Sequence, residues 1–386
     1  MSYALATLWY DRQRYLPGIL AVAFSALLIA MQCGLLFGLL SVTSIPIDKS
    51  SADVWIAPPK TLSADNGSPI SLNKLEDRVG ALPGIVHTEP YIQLFSRWEK
   101  PGGGTDMCII LGCKLDEKAI GPALALSPDL RDRLQEEGAV VVDASELERL
   151  DIIDAPVLLS ENRQVTAKIA GKSVHVVGLV TRMKSIAGPY VFCSLSTARS
   201  ILKMSNEQTI YVLAKCEDPT QAPAIVEELK SSELQQEFPD MSVFTKEQFS
   251  FRSRMHWLKK TSAGLALGYA ALLGLIVGAV VTSQTLYAAT MASMREYAIL
   301  LALGIPRWRL RWVVVTQAFW IGLLGVIISV PVTYLMAELA SQLGVKPLLP
   351  PELIGAAAIV TLFMAIASGV IALRSLRQIE PVNLLR

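Results

Sequence analysis

Four runs without a charged side chain, at residues 15–47, 261–294, 312–337 and 353–373, interrupt a chain that elsewhere mixes polar and apolar positions. Each exceeds the roughly 20 apolar residues a helix needs to cross a hydrocarbon core of about 30 Å. The pattern predicts one transmembrane helix, a long polar stretch at 48–260, and then three transmembrane helices in close succession. The first run is far longer than the roughly 7–15 apolar residues of a signal peptide, and no small-x-small cleavage site ends it, so a retained helix is expected.

Within the polar stretch, alternating β-branched and aromatic positions predict strands at 53–57, 85–98, 107–112, 139–142, 174–181, 190–193, 209–214 and 241–244. Helical patterns fall at 71–82, 129–136, 145–150, 197–203 and 219–237, with Ser71 and Ser127 as caps. Residues 53–98 and 209–244 each read strand–helix–strand, and the material between is richer in short strands and turns. The expected fold class is an α-helical membrane protein, four transmembrane helices in 1+3 order, with a large extracytoplasmic α/β domain split by an inserted, mainly β subdomain. The expected divisions are an N-terminal segment with the first helix (1–47), the split subdomain (48–114 and 206–260) and the insertion (115–205). Then follow the second helix (261–294), an inner loop (295–311), the third helix (312–337), an outer loop (338–352), the fourth helix (353–373) and a tail (374–386). From Phe249 the chain turns amphipathic and basic (Phe251, Arg252, Arg254, Trp257, Lys259, Lys260). That predicts a helix running unbroken into the second span, with Trp257 as an interfacial anchor and Trp9 and Tyr10 serving the opposite face.

Composition agrees with a membrane chain: 52% of residues are hydrophobic and 18% charged, against about a quarter charged in soluble proteins. A net charge of +1 offers no basic face for nucleic acid. Orientation follows from Lys and Arg in the short loops. Arg295, Arg307, Arg309 and Arg311 stand between the second and third spans, Arg374, Arg377 and Arg386 in the tail, and Arg12 and Arg14 near the start. The loop after the third span carries only Lys346. Both termini are therefore expected in the cytoplasm and the large domain outside. Cys108, Cys113, Cys193 and Cys216 in that domain are either buried free thiols or contain one disulfide.

Catalytic signatures are missing. His87, His175 and His256 stand in no metalloprotease motif, and no Gly-x-Ser-x-Gly elbow occurs. The apolar centres of the spans hold no ionisable group, which argues against an ion-coupled transporter. Gly171-Lys172-Ser173 imitates the end of a phosphate loop, but Thr166 occupies the place of its first glycine, so a β-turn is expected. The chain is not expected to be an enzyme or to bind a metal or cofactor itself. Glycine pairs one helical turn apart, Gly264 with Gly268 and Gly274 with Gly278, mark the second span as a helix-packing surface and a candidate homodimer seam.

The most specific segment is 294–311, Met-Arg-Glu-Tyr-Ala-Ile-Leu-Leu-Ala-Leu-Gly-Ile-Pro-Arg-Trp-Arg-Leu-Arg. It reads as a short helix ended by Gly304, with Pro306 turning the chain toward the third span. Its pattern Arg295, Glu296, Leu300, Gly304 resembles the cytoplasmic loop of MacB/FtsX-type ABC transporter permeases, in which Arg-Glu-x-x-x-Leu-x-x-x-Gly recurs. The resemblance extends to the 1+3 order and to the ending Gln378-Ile379-Glu380-Pro381-Val382. Ala-Asp-Val-Trp-Ile at 52–56 and the length without a fused ATPase look most like the DevC type. The resemblance implies a homodimer working with two copies of a separate cytoplasmic ABC ATPase, which would bind ATP and Mg. Arg295, Glu296, Ile299, Leu300, Leu303 and Gly304 would couple to that ATPase. It further implies porter and sabre subdomains outside, an HlyD-type periplasmic adaptor, a TolC-like outer-membrane duct, contact with membrane lipids, and export of lipid or other amphiphiles from the inner membrane. An FtsX-like regulator of an extracytoplasmic hydrolase and a lipoprotein-extracting Lol-type permease are the alternatives.

Overall fold

The computed structural model describes residues 10, 12–72, 75–161, 163–181, 183, 185, 187–231, 241–293, 296, 299–300, 303–342 and 347–376. The chain divides into a helical unit, Met1–Leu39 with Ser262–Arg386, and an α/β unit, Leu40–Thr261. Helix α1 (Arg12–Val42) opens the described chain.

The α/β unit is built on β1 (Val54–Ala57), β2 (Ile70–Ser71), β3 (Ile85–Glu99), β4 (Thr105–Cys113), β5 (Ala139–Asp143), β6 (Val165–Ile169), β7 (Lys172–Val180), β8 (Tyr190–Ser194), β9 (Gln208–Thr209), β10 (Tyr211–Cys216) and β11 (Ser242–Thr245). Its helices include α2 (Ile45–Lys49), α3 (Leu75–Gly80), α4 (Leu195–Leu202), α5 (Ala222–Ser231) and α6 (Lys246–Lys260). The two strand–helix–strand halves, β1–α3–β3 and β10–α5–β11, interleave into one antiparallel sheet in the order β11-β1-β10-β3. This is the ferredoxin-like split arrangement. Val54, Ile56, Val212 and Ala214 on one face pack on Leu75 and Val79 of α3 and on Ile225, Val226 and Leu229 of α5. The other face carries Trp55, Tyr91 and Tyr211, of which Trp55 and Tyr211 meet the Phe249 ring of α6 and Tyr91 meets the other two, with ring centroids 5.4–6.1 Å apart.

Strand β3 belongs to two sheets. Its first half pairs with β10, and residues from Ile92 onward pair with β4. From there the order runs β4-β8-β5-β7-β6, and β6 returns to β3 through Trp98↔Ile169 and Glu99↔Lys168. The six strands form a closed ring, which leaves few exposed strand edges. Val140, Val141 and Val142 of β5 are all buried, while β6 alternates buried and exposed positions as a strand with one face inward does. The ring draws on β3 and β4, so the mainly β part reaches back beyond the boundary read at 115. Ala170 and Gly171, both with positive φ, close the β6–β7 hairpin. The Gly171-Lys172-Ser173 triplet is therefore a hairpin turn and the start of a strand. Cys108, Cys113, Cys193 and Cys216 are free thiols, all buried.

Helix α6 starts with a capping box in which the Thr245 side chain and Gln248 satisfy each other's backbone. It ends at Lys260, and Thr261 is extended (φ −102°, ψ 146°) before the next helix opens at Ser262. The unbroken rod expected from the sequence is corrected: Thr261 interrupts it. Trp257, read as a membrane-interface anchor, instead donates its indole N–H to Asp65 within the α/β unit at 3.2 Å.

The helical unit comprises α1 together with α7 (Ser262–Ala292), α8 (Arg307–Gln342) and α9 (Pro351–Leu376). All four helices are long and apolar enough to cross a membrane. Small residues set their approach. A Cβ at Gly325 of α8 would lie 2.7 Å from Val22 of α1, and one at Gly369 of α9 would lie 2.8 Å from Ala318 of α8. Close backbone approach of this kind replaces the hydrophobic driving force that lipid abolishes.

Candidate functional site

Between α7 and α8 the described residues form a tight helical ending. Residues 299 and 300 are helical. Leu303 N–H donates to Ile299 O at 3.0 Å, and Ile305 N–H donates to Leu300 O at 3.2 Å. Gly304 lies between them at φ +84°, a conformation that costs a side-chain-bearing residue about 1–2 kcal/mol. This is a Schellman closure, and it carries the apolar contact typical of that motif: Leu300 and Ile305 pack on Leu310 and Val314 of α8.

That closure decides which side chains face outward. Leu300 turns inward, whereas Ile299 and Leu303 are 45% and 74% exposed, and Glu296 is exposed as well. Positions 296, 299 and 303 share one helical face. The sequence grouped Leu300 with them because spacing alone does not say which side meets α8. Arg295 lies outside the described residues. Trp308 and Trp312 at the start of α8 are also exposed, with the Arg309 guanidinium 5.5 Å from the Trp308 ring centre.

A second cluster joins the segment after α1 to the helix before α7, and sequence reasoning did not find it. Asp48 in α2 accepts from Ser44 Oγ at 2.7 Å, Ser250 Oγ at 2.8 Å and Arg254 Nη2 at 2.8 Å. Arg254 Nε also donates to Ser44 Oγ at 2.9 Å, and Lys246 Nζ to Ser50 O at 2.7 Å. Helices α2 and α6 are thereby clamped through one carboxylate. Beside the clamp is an open hollow of about 260 Å³ lined by Asp48, Lys246, Glu247, Ser250, Phe251 and Arg254. Asp48 and Arg254 lie too far apart in the chain for any motif to have signalled the pair.

Glu89 of β3 is fully buried and accepts from the backbone N–H groups of Ile120 at 2.9 Å and Gly121 at 2.7 Å. Burial pushes its carboxyl up to about 7 despite those bonds. Its partners are structural amides, and among the described residues no group of His, Cys, Asp and Glu side chains is placed to hold a metal.

Of the glycine pairs, Gly274 and Gly278 face α1 in the same chain. A Cβ at Gly274 would meet Leu28 at 2.8 Å, and one at Gly278 would meet Ser25 at 3.3 Å. Ser25 Oγ donates to Gly278 O at 3.2 Å and accepts from Thr282 Oγ1 at 3.1 Å. Just past the end of α7, the Tyr15 and Ser293 hydroxyls meet at 3.2 Å. Gly264 is buried and Gly268 partly so.

Comparison with known proteins bears on the same region. Residues 268–381, which contain α8, α9, most of α7 and the hairpin just described, match the family described as FtsX-like permease C-terminal. No curated protein matches the chain. Among solved structures, the periplasmic region of MacB from Actinobacillus actinomycetemcomitans aligns at 13% identity over 56% of this chain and 97% of its own, with a TM-score of 0.33. The extracellular domain of the noncanonic ABC-type transporter YknZ from Gram-positive bacteria aligns at 10% identity over 50% and 98%, with a TM-score of 0.34. Scores this low carry no weight for this chain, and the family match at 268–381 stands without them.

Proposed function

We propose that this chain is the permease subunit of an ABC exporter, driven by a separate cytoplasmic ATPase that holds the ATP and Mg. The observation that carries this reading is the FtsX-like permease match over 268–381, within which the exposed face Glu296, Ile299, Leu303 ends at the Gly304 closure. An acidic and apolar face of this kind suits the groove of a protein partner better than anionic lipid headgroups, which favour basic faces.

In this reading the termini and the α7–α8 hairpin are cytoplasmic and the α/β unit lies outside the inner membrane. The ferredoxin-like sheet corresponds to a porter-like part and the six-stranded ring to a sabre-like part. Motion imposed at the hairpin travels through α7 and α8. The Asp48 clamp makes α2 and α6 move as one. A homodimer has the exposed stripe Tyr269, Leu273, Ile276 and Val280 of α7 at its disposal, because Gly274 and Gly278 are occupied by α1. The DevC-like features of the sequence support a tripartite pump with an HlyD-type adaptor and a TolC-like duct, exporting lipid or other amphiphiles.

The test is capture of a cytoplasmic ABC ATPase from the cells that make this chain. Wild type should retain it through affinity purification in detergent, and Glu296→Lys and Leu303→Asp should lose it while inserting normally. Retention of the ATPase by both variants would refute the assignment.

A further inference from the structure

Helix α8 opens with an aromatic and basic stretch that faces away from the hairpin closure. The part of α8 long and apolar enough to cross a membrane begins at Trp308. Arg311 is the last charged residue before the charge-free run 312–337. Trp308 and Trp312, 58% and 66% exposed, stand four residues apart and share one face. Val315 and Phe319, both partly exposed, continue that face into the span. At about 100° per residue, it lies opposite Leu310 and Val314, which are buried against Leu300 and Ile305. Arg309 and Arg311 are exposed on either flank of the stripe. The Arg309 guanidinium lies 5.5 Å from the Trp308 ring centre, and among the described residues neither arginine has a carboxylate partner.

We propose that this face is a binding site for phospholipids whose headgroups carry net negative charge: the two indoles lie among the headgroups and the flanking guanidiniums take the phosphates. Charge selects the occupant. No acidic residue stands in the first turn of α8, and the helix dipole places about half a positive charge at that end. Arg309 and Arg311 add to the same sign, so the stretch gains from an anion and repels a cation. Each guanidinium offers phosphate a planar fork of N–H donors, and tryptophan rings favour the boundary between hydrocarbon and water. A zwitterionic headgroup presents a phosphate too, but it brings its own cation into the same positive field. An anionic headgroup does not.

The hairpin region thus has two faces of opposite chemistry. Glu296, Ile299 and Leu303 present an acid with apolar neighbours, which suits a protein groove, whereas Trp308, Arg309, Arg311 and Trp312 suit anionic lipid. The lipid site requires only that α8 cross a membrane, and it holds whether or not an ATPase drives the chain.

The experiment titrates the full chain, delipidated in nonionic detergent and without a partner, with phosphatidylglycerol or phosphatidylcholine at low salt, and counts bound lipid by native mass spectrometry. Wild type should bind phosphatidylglycerol about 25-fold more tightly, at roughly fivefold for each arginine near an anionic headgroup. Arg309→Gln with Arg311→Gln should bind the two lipids equally. Arg309→Lys with Arg311→Lys keeps both charges and should keep most of the preference. If the glutamine variant does not fold, wild type in about 1 M ammonium acetate, where the screening length is about 3 Å, should lose the preference instead. Equal binding of the two lipids by wild type at low salt would overturn the proposal, as would a preference that survives in the glutamine variant or at high salt. A glutamine variant that keeps the lipid preference and loses the ATPase would assign this face to the protein partner.

Discussion

Gly278 offers a sharp test of how the helical unit is assembled. Replacing it with leucine places a Cβ 3.3 Å from Ser25 Cβ and 3.4 Å from Ile29 Cδ1, with the rest of the side chain still to be housed. Overpacking of this kind costs about 1–3 kcal/mol. Displacing α1 also breaks the Ser25 bond to Gly278 O, worth roughly 0.6 kcal/mol by the average for such bonds in membranes. Gly278→Leu should therefore destabilise the folded chain by about 2–4 kcal/mol. Ser25→Ala, which removes the same contact and the acceptor for Thr282, should cost about 1 kcal/mol. Thermal unfolding in detergent ranks the two. The decisive control is Ser25→Cys with Thr282→Cys in a background lacking the other cysteines. Their hydroxyls are 3.1 Å apart, so the two sulfurs fall within reach of a disulfide. Oxidation should give an internally bridged monomer. A covalent dimer would mean that this face of α7 is a seam between copies, and would refute the packing argued from Gly274 and Gly278.

Three further outcomes are expected. Gly304→Ala forces a Cβ into the left-handed region at φ +84°, so the hairpin closure should weaken by about 1–2 kcal/mol and ATPase capture should fall roughly tenfold in a pull-down titration. Asp48→Ala leaves Arg254, Ser250 and Ser44 without their common acceptor. Because the Asp48–Arg254 pair is more than a third exposed, the loss of the pair itself should be about 1 kcal/mol or less, read as a lower midpoint for the α/β unit in denaturant. Glu89 is raised from 4.5 to about 7, so between those values the folded chain binds more protons than the unfolded one and stability falls as pH rises. Glu89→Gln should flatten that slope in melts from pH 5 to pH 8, while lowering stability throughout because Gly121 or Ile120 loses its acceptor.

The parts of this architecture governed by local pattern were legible in the sequence. The charge-free runs locate α1, α7, α8 and α9, and β-branched alternation finds β1, β3, β10 and β11 with α5 between the last two. What escaped depends on distant pairing. Closure of the ring through Trp98 and Ile169 has no local signature, nor does the meeting of Asp48 with Arg254. The interruption at Thr261 carries neither proline nor glycine to announce it. Trp257 reads as an interfacial aromatic by its place beside Lys259 and Lys260, yet a buried carboxylate far away in the chain captures its N–H. Glycine spacing on α7 marks a close contact without naming the partner, and the partner is α1. In the hairpin, helical spacing groups Leu300 with Ile299 and Leu303, and only the position of Leu310 and Val314 separates the inward side chain from the outward two.

The central claim is that work applied at the α7–α8 hairpin emerges in the α/β unit. Spin labels on Asp151→Cys, in a background where the five native cysteines are replaced, would report the distance between two copies reconstituted with the ATPase. The account predicts that ATP shifts this distance distribution and that Glu296→Lys abolishes the shift. An unchanged distribution in the wild-type complex during ATP turnover would contradict it.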